Sequence, residues 1–385
     1  MKLFLCPSCS GVVYFENRSC EACGSRLGYH PPANALYALD ADGDVWRPCD
    51  ASERQYRFCA NAGHDACNWL VPADSEATLC LSCRHNQVIP DLSVAANLAR
   101  WRQLEFAKQH LFYCLLRLRL PLETRQEQPE TGLAFEFLAD DAGTHVLTGH
   151  AAGTITVNVA EADDAIREQL RIEMGEPYRT LHGHFRHEIG HYYWDRLVRD
   201  EGHLPAFRAV FGDETIDYDT ALKNYHANGA PADWRDNFIT AYATAHPWED
   251  FAETWAHYLH ITDTLEMARY YGIHVNPVVT ESTALSAEVD FDPYRASSIE
   301  QLVGHWGPIA IAVNSLNRCM GQPDLYPFVL TPPVIGKLSF IHDLVHRGDV
   351  IRSNVRAVTT GPVPNSIARD PTTRPPPTAT AILQP

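Results

Sequence analysis

Residues 184–194 read His-Phe-Arg-His-Glu-Ile-Gly-His-Tyr-Tyr-Trp, and within them stands His187-Glu188-x-x-His191. Side chains four apart lie on one face of a helix, so His187 and His191 can reach a single Zn²⁺ together. Glu188 follows the first of them, where a carboxylate can take a proton from a metal-activated water. Two histidines and a glutamate at this spacing also recur by chance, so the pattern needs a third ligand and a strand beside its helix. Gly190 points to the same partner. A glycine inside a helix costs about 1 kcal/mol relative to alanine, and the cost makes sense if the helix bearing the third ligand packs closely there.

A third histidine six residues past His191 is ruled out, because positions 194 and 197 are Trp194 and Leu197. The alternative is the stretch from Pro247 to His260, in which Glu249, Glu253 and His257 fall one turn apart. Trp248, Phe251, Ala252, Trp255, Tyr258 and Leu259 form an apolar stripe beside them. Two carboxylates one turn apart repel on a plain helix, and a divalent cation removes that objection. Pro247 suits a first helical turn. Asp195 lies one turn beyond His191, where it is either a second carboxylate behind a ligand imidazole or a solvated acid. His182 and His184 read as polar residues at the mouth of the helix.

His187-Glu-Ile-Gly-His191, followed by Tyr242-Ala-Thr-Ala-His-Pro-Trp-Glu249-Asp-Phe-Ala-Glu253-Thr-Trp-Ala-His-Tyr-Leu, resembles bacterial zinc-binding metallopeptidases with an N-terminal zinc ribbon. These belong to the wider HExxH-plus-Glu, gluzincin-like group, and the similarity runs from Cys6 to about Val345. The resemblance implies a zinc metallopeptidase acting on a protein or peptide substrate, with Glu188 as general base. Its Glu-x-x-Ala-Glu pattern implies that Glu249 binds the catalytic zinc and Glu253 supports it. It also implies that Tyr242, seven residues upstream of Glu249, faces the substrate carbonyl, with His246 as the other candidate for that role. The Pro247-Trp248 pair departs from some relatives, so Glu253 stays open as the alternative ligand. The competing reading is a zinc-stabilised interaction scaffold with a non-catalytic site. Such a site has no need of the carboxylate at Glu188.

Further metal chemistry lies toward the N-terminus. Cys6, Cys9, Cys20 and Cys23 form two CxxC knuckles ten residues apart, the spacing of a Cys₄ zinc ribbon. Cys59, Cys67, Cys80 and Cys83 make a second set, with His64 and Cys49 close enough in sequence to replace a member. Three Zn²⁺ ions, one catalytic and two structural, are therefore expected. The start, Met1 to Cys6, is too short for a signal peptide before Pro7-Ser8, so the expected compartment is the cytoplasm, with reduced thiols. Cys114, in an apolar run, reads as a buried small hydrophobe.

The net charge is −17, and residues 1–91 carry seven Lys/Arg against eleven Asp/Glu. That balance speaks against nucleic acid as a partner and leaves a protein partner for the ribbons. No run of about 18 apolar residues is present, so no membrane span is expected.

The elements that must position these residues follow from periodicity. Leu98, Trp101, Leu104, Ala107 and Leu111 mark a helix over 94–118, stopped by Pro121. Residues 132–138 and 154–160 alternate as strands, and the second is expected to be the sheet edge that pairs with substrate. Residues 302–316 and 336–345 read as helices beneath the site. The expected class is α+β: a zincin-like domain, mostly helical with a small sheet, over 94–350. It is preceded by zinc modules at 1–45 and 46–93 and followed by an unordered Pro/Thr-rich tail at 351–385.

Overall fold

The computed structural model describes residues 1–50, 53–140, 146–173 and 179–356. The expected tail lies, from 357 onward, outside the described residues. Residues Met1–His346 form one compact unit, and of the residues after it only the end of a helix, to Arg356, is described. Helices and small sheets are mixed, as the α+β reading expects.

The N-terminal part opens with a two-stranded ladder, β1 (Phe4–Leu5) and β2 (Val12–Val13), which carries the first knuckle. A five-stranded antiparallel sheet follows in the order β3 (Arg26–His30), β4 (Ala35–Asp42), β5 (Val45–Pro48), β6 (Tyr56–Phe58), β7 (Leu70–Pro72). The boundary expected at 45/46 falls inside the β4–β5 hairpin, so both cysteine sets hang on this sheet.

A second sheet has the order β10 (Gly149–Ala151), β11 (Thr154–Asn158), β9 (Ala134–Leu138), β8 (Asn86–Val88). Strand β8 comes from just beyond Cys83 and ties the cysteine-rich region to the sheet next to the HExxH helix. The expected edge is corrected here. β11 is internal, because β10 folds back on it through the tight turn Ala152-Gly153, where both residues have positive φ, as a primed hairpin turn requires. A Cβ on Gly153 would meet the Gly132 carbonyl oxygen at 2.8 Å, so only glycine fits this turn. Among the described residues the edge strands of this sheet are β10 and β8, and β10 is the one that packs beside α3.

Helix α1 (Ala95–Arg117) buries Trp101, Leu104, Ala107 and Leu111 as the periodicity predicts, and also buries Glu105 and Lys108. Short α2 (Asp164–Glu173) precedes α3 (Leu181–Tyr193), which starts at Thr180, whose hydroxyl accepts the Gly183 N–H. It continues as a π-helical turn over Trp194–Arg199. Helices α4 (Leu204–Phe211) and α5 (Tyr218–Asn228) lead to α6 (Pro247–Tyr271), which ends at Gly272 in the left-handed conformation. Helices α7 (Ile299–Cys319) and α8 (Pro332–Arg356) include the two expected helical stretches. Among the described residues no helix is long and apolar enough to cross a membrane.

Candidate metal centre

Helices α3 and α6 cross at Gly190. A Cβ there would stand 3.0 Å from Ala252 Cα and 3.2 Å from Trp255 Cβ, closer than carbon atoms ordinarily approach. The crossing sets the first turn of α6 beside the C-terminal half of α3. His187 Nε2 lies 3.1 Å from His191 Nε2 and 3.0 Å from Glu249 Oε2, and His191 Nε2 lies 3.5 Å from Glu249 Oε1. A tetrahedral ion with bonds of about 2.0–2.2 Å separates its ligand atoms by roughly 3.3–3.6 Å, so the set fits zinc. Glu249 is 1% exposed and its Oε2 has no hydrogen-bond partner, which leaves a buried anionic oxygen beside the His187 imidazole while Oε1 lies toward His191.

The electrostatics match this arrangement. Burial would raise the Glu249 pKa, but the imidazoles of His191 and His187 hold it well below the usual carboxylate range. Burial would lower the pKa of His187, and the carboxylates of Glu249 and Glu253 hold it well above. Burial pushes the Glu188 carboxyl up, against the opposing pull of the His187 and His191 imidazoles.

Around the three atoms stands a supporting ring. Glu253 Oε1 is 2.6 Å from His187 Nδ1, which fixes that imidazole and leaves its Nε2 for the ion. Trp248 packs on His191 with ring centroids 4.0 Å apart, while His191 Nδ1 has no hydrogen-bond partner. Asp195 is therefore not the carboxylate behind His191; it pairs with Arg199 at 2.7 Å. The ring of Tyr242 lies 6.0 Å from that of His187. His246 is spent elsewhere: Nδ1 accepts the Trp248 N–H to cap α6, and Nε2 donates to the Ile216 carbonyl at 3.0 Å. His182 contacts His110 at 2.9 Å and His184 pairs with Glu161, so both hold α3 to its neighbours.

Two residues at the centre carried no sequence signal. Tyr218, at the start of α5, donates its hydroxyl to Glu249 Oε1 at 2.6 Å, and its pKa is raised by burial and by the Glu249 charge. His150, on edge strand β10, stacks with its ring 6.3 Å from His191. Each lies more than 30 residues from the motif residue it approaches, and neither sits in a repeating pattern.

The cysteines gather as two sets of four. The Cys6–Cys23 and Cys9–Cys20 sulfur distances are 3.7 and 3.6 Å, and Cys67–Cys80 is 3.7 Å. Tetrahedral Zn–S bonds of about 2.3 Å separate sulfurs by about 3.8 Å, and a disulfide needs about 2.05 Å. Both sets thus fit zinc and neither fits a disulfide. Cys9 and Cys23 of the first set are exposed, whereas the second is wholly buried. His64 packs on Trp101 and Cys49 contacts Asp40, so neither replaces a member. The buried Lys108 and Glu105 pair at 3.0 Å beside Cys83, placing a cation near a site that gains negative charge when its thiols ionise. Cys114 is buried but not inert in its contacts, since the Tyr294 hydroxyl donates to its sulfur at 3.2 Å.

Residues 97–344 match a family described as "Putative zinc-binding metallo-peptidase", and residues 3–94 match a zinc-ribbon domain. The chain belongs to this metallopeptidase family. Its relatives include uncharacterised proteins of Mycobacterium bovis and Mycobacterium tuberculosis, each 42% identical over 346 residues, spanning 90% of this chain and 95% of the relative. No solved structure matches the chain. Family membership agrees with a chain that gathers two Cys₄ sets and a His-His-Glu set in one fold.

Proposed function

We propose that the chain is a zincin-like peptidase hydrolysing peptide bonds at the His187, His191 and Glu249 site. The observation that carries this reading is the convergence of those three ligand atoms with the HExxH carboxylate Glu188 on the helix between them. A merely structural ion would use the two histidines and the acid; it would have no use for Glu188.

Bound there, Zn²⁺ would supply a water acidic enough to lose a proton near neutral pH and a Lewis acid for the scissile carbonyl. Glu188 takes the proton of the attacking water and returns it to the leaving amine. Tyr242 donates its hydroxyl to the carbonyl oxygen as charge builds there, and burial, helped by the Glu249 charge, keeps it protonated. Glu253 holds the His187 imidazole in the tautomer that presents Nε2. The substrate is an extended protein or peptide segment, and β10, an edge strand among the described residues, offers it a backbone edge next to His191. The two zinc ribbons dock a protein partner rather than nucleic acid, on the charge argument above.

Digestion of a peptide library by the purified protein, read by mass spectrometry with and without a zinc chelator, tests this reading. Cleavage that the chelator abolishes and added zinc restores is expected. Cleavage untouched by chelation contradicts it.

A further inference from the structure

The two carboxylate oxygens of Glu249 are treated differently. Oε1 accepts the Tyr218 hydroxyl at 2.6 Å, whereas Oε2, 3.0 Å from His187 Nε2, has no hydrogen-bond partner. A free carboxylate offers an ion one oxygen or both, and the choice fixes how many positions are left for water and substrate. The ring of Tyr218 is held for this task. It packs edge-on against His246 at 5.3 Å and Trp248 at 5.7 Å, two residues at the start of α6. The preceding Ile216 carbonyl is fixed by His246 Nε2. The rest of α5 buries no side chain, so core packing does not explain why this helix lies over the site.

We propose that Tyr218 is the positioning residue of the third ligand: its hydroxyl occupies Glu249 Oε1, which itself lies 3.5 Å from His191 Nε2, so that the bond to the ion falls to Oε2. Glu249 then stays a one-oxygen ligand, and a coordination position stays open for the reacting water. This rests on the metal-site reading above, and it adds a residue that neither the HExxH pattern nor the Glu249–Glu253 pair identifies. Tyr242 has a separate task, directed at substrate.

The test loads Co²⁺ into the His-His-Glu site of the full chain, after mild chelation has stripped that site and left the cysteine sites filled. A four-coordinate cobalt ion absorbs visible light strongly and a five-coordinate one weakly. Tyr218→Phe, which frees Oε1, should convert the strong bands into weak ones, and zinc affinity should fall by about 10–100-fold, as loss of a ligand's supporting contact does. Tyr225→Phe should keep the wild-type spectrum. An unchanged spectrum in Tyr218→Phe overturns the proposal, and so does an equal change in Tyr225→Phe, which would trace the effect to α5 as a whole. If Tyr218→Phe shifts the bands while Glu188→Gln cleaves peptides as fast as wild type, the positioning role stands and the peptidase reading falls. Failure of the stripped site to take up cobalt removes both.

Discussion

Replacing Gly190 by alanine probes the contact on which the metal site depends. In an unconstrained helix the change should stabilise by about 1 kcal/mol. Here the new methyl would lie 3.0 Å from Ala252 Cα, 3.2 Å from Trp255 Cβ and 3.3 Å from the Ala252 carbonyl oxygen. Two of these atoms are backbone, so no side chain can swing aside to make room. Contacts this tight require α3 and α6 to give way by a few tenths of an ångström. Overpacking of this kind costs about 1–3 kcal/mol, which cancels or exceeds the propensity gain. The larger consequence is at the ligands. Metal–ligand distances tolerate only about 0.2 Å of error, and moving α6 carries Glu249 away from His187 and His191 together. Gly190→Ala should therefore melt no higher than wild type and bind zinc at the His-His-Glu site at least about tenfold more weakly, with both cysteine sites filled. Thermal melts and competition against a calibrated chelator measure the two effects. A variant about 1 kcal/mol more stable, with wild-type zinc affinity, would refute the close-crossing argument.

Glu249→Ala should lose the catalytic ion, whereas Glu253→Ala should keep it with about 10–100-fold weaker affinity; the reverse order, read by metal analysis, would transfer the ligand role to Glu253. Elemental analysis should find three zinc ions per chain, of which mild chelation removes one first, and a single ion with free thiols at Cys6 and Cys80 would rule out the paired cysteine sites. Burial lowers the His257 pKa to about 4 despite the nearby Glu253, against about 6.5 in an unfolded chain. A depressed folded pKa means that the stability contribution is present above about pH 6.5 and is lost as pH falls toward 4. At pH 5 the loss amounts to about 2 kcal/mol. The stability difference between wild type and His257→Gln should therefore move by that amount between pH 7.5 and 5, and a constant difference in denaturant titrations contradicts it.

The chemistry was more legible in the sequence than its surroundings. Ligand types recur at spacings dictated by helix and knuckle geometry, so the chain alone offered His187, His191, the Glu249–Glu253 pair and the eight cysteines as candidates, the preference for Glu249 came from the family resemblance, and Gly190 announced the crossing before any partner was visible. Strand order was not legible. Residues 154–158 alternate as an edge strand would, yet β10 covers them through a turn whose first residue is Ala152, a type that seldom adopts positive φ and so gives no turn signal. Strand β8 is three residues of mixed character, too short for periodicity to show that the cysteine-rich region enters the second sheet. The Tyr218 contact and the capping role of His246 were opaque for another reason. One acts across a gap of 31 residues through a single hydroxyl, and the other is a helix cap whose free nitrogen is taken by a distant carbonyl. Contacts of this kind depend on the packing of α5 over α6, which no local pattern encodes.

The central claim is that Glu188 works as a base beside a zinc ion held by His187, His191 and Glu249. Glu188→Gln keeps the shape of the side chain and removes its ability to take a proton. The decisive measurement is the rate at which wild type and Glu188→Gln cleave the best substrate from the library digest, with zinc content determined on the same samples. Loss of a positioned base costs about 10²–10⁴-fold, so the variant should retain three zinc ions while turnover falls by at least the upper part of that range. Equal rates at equal zinc content would contradict the account.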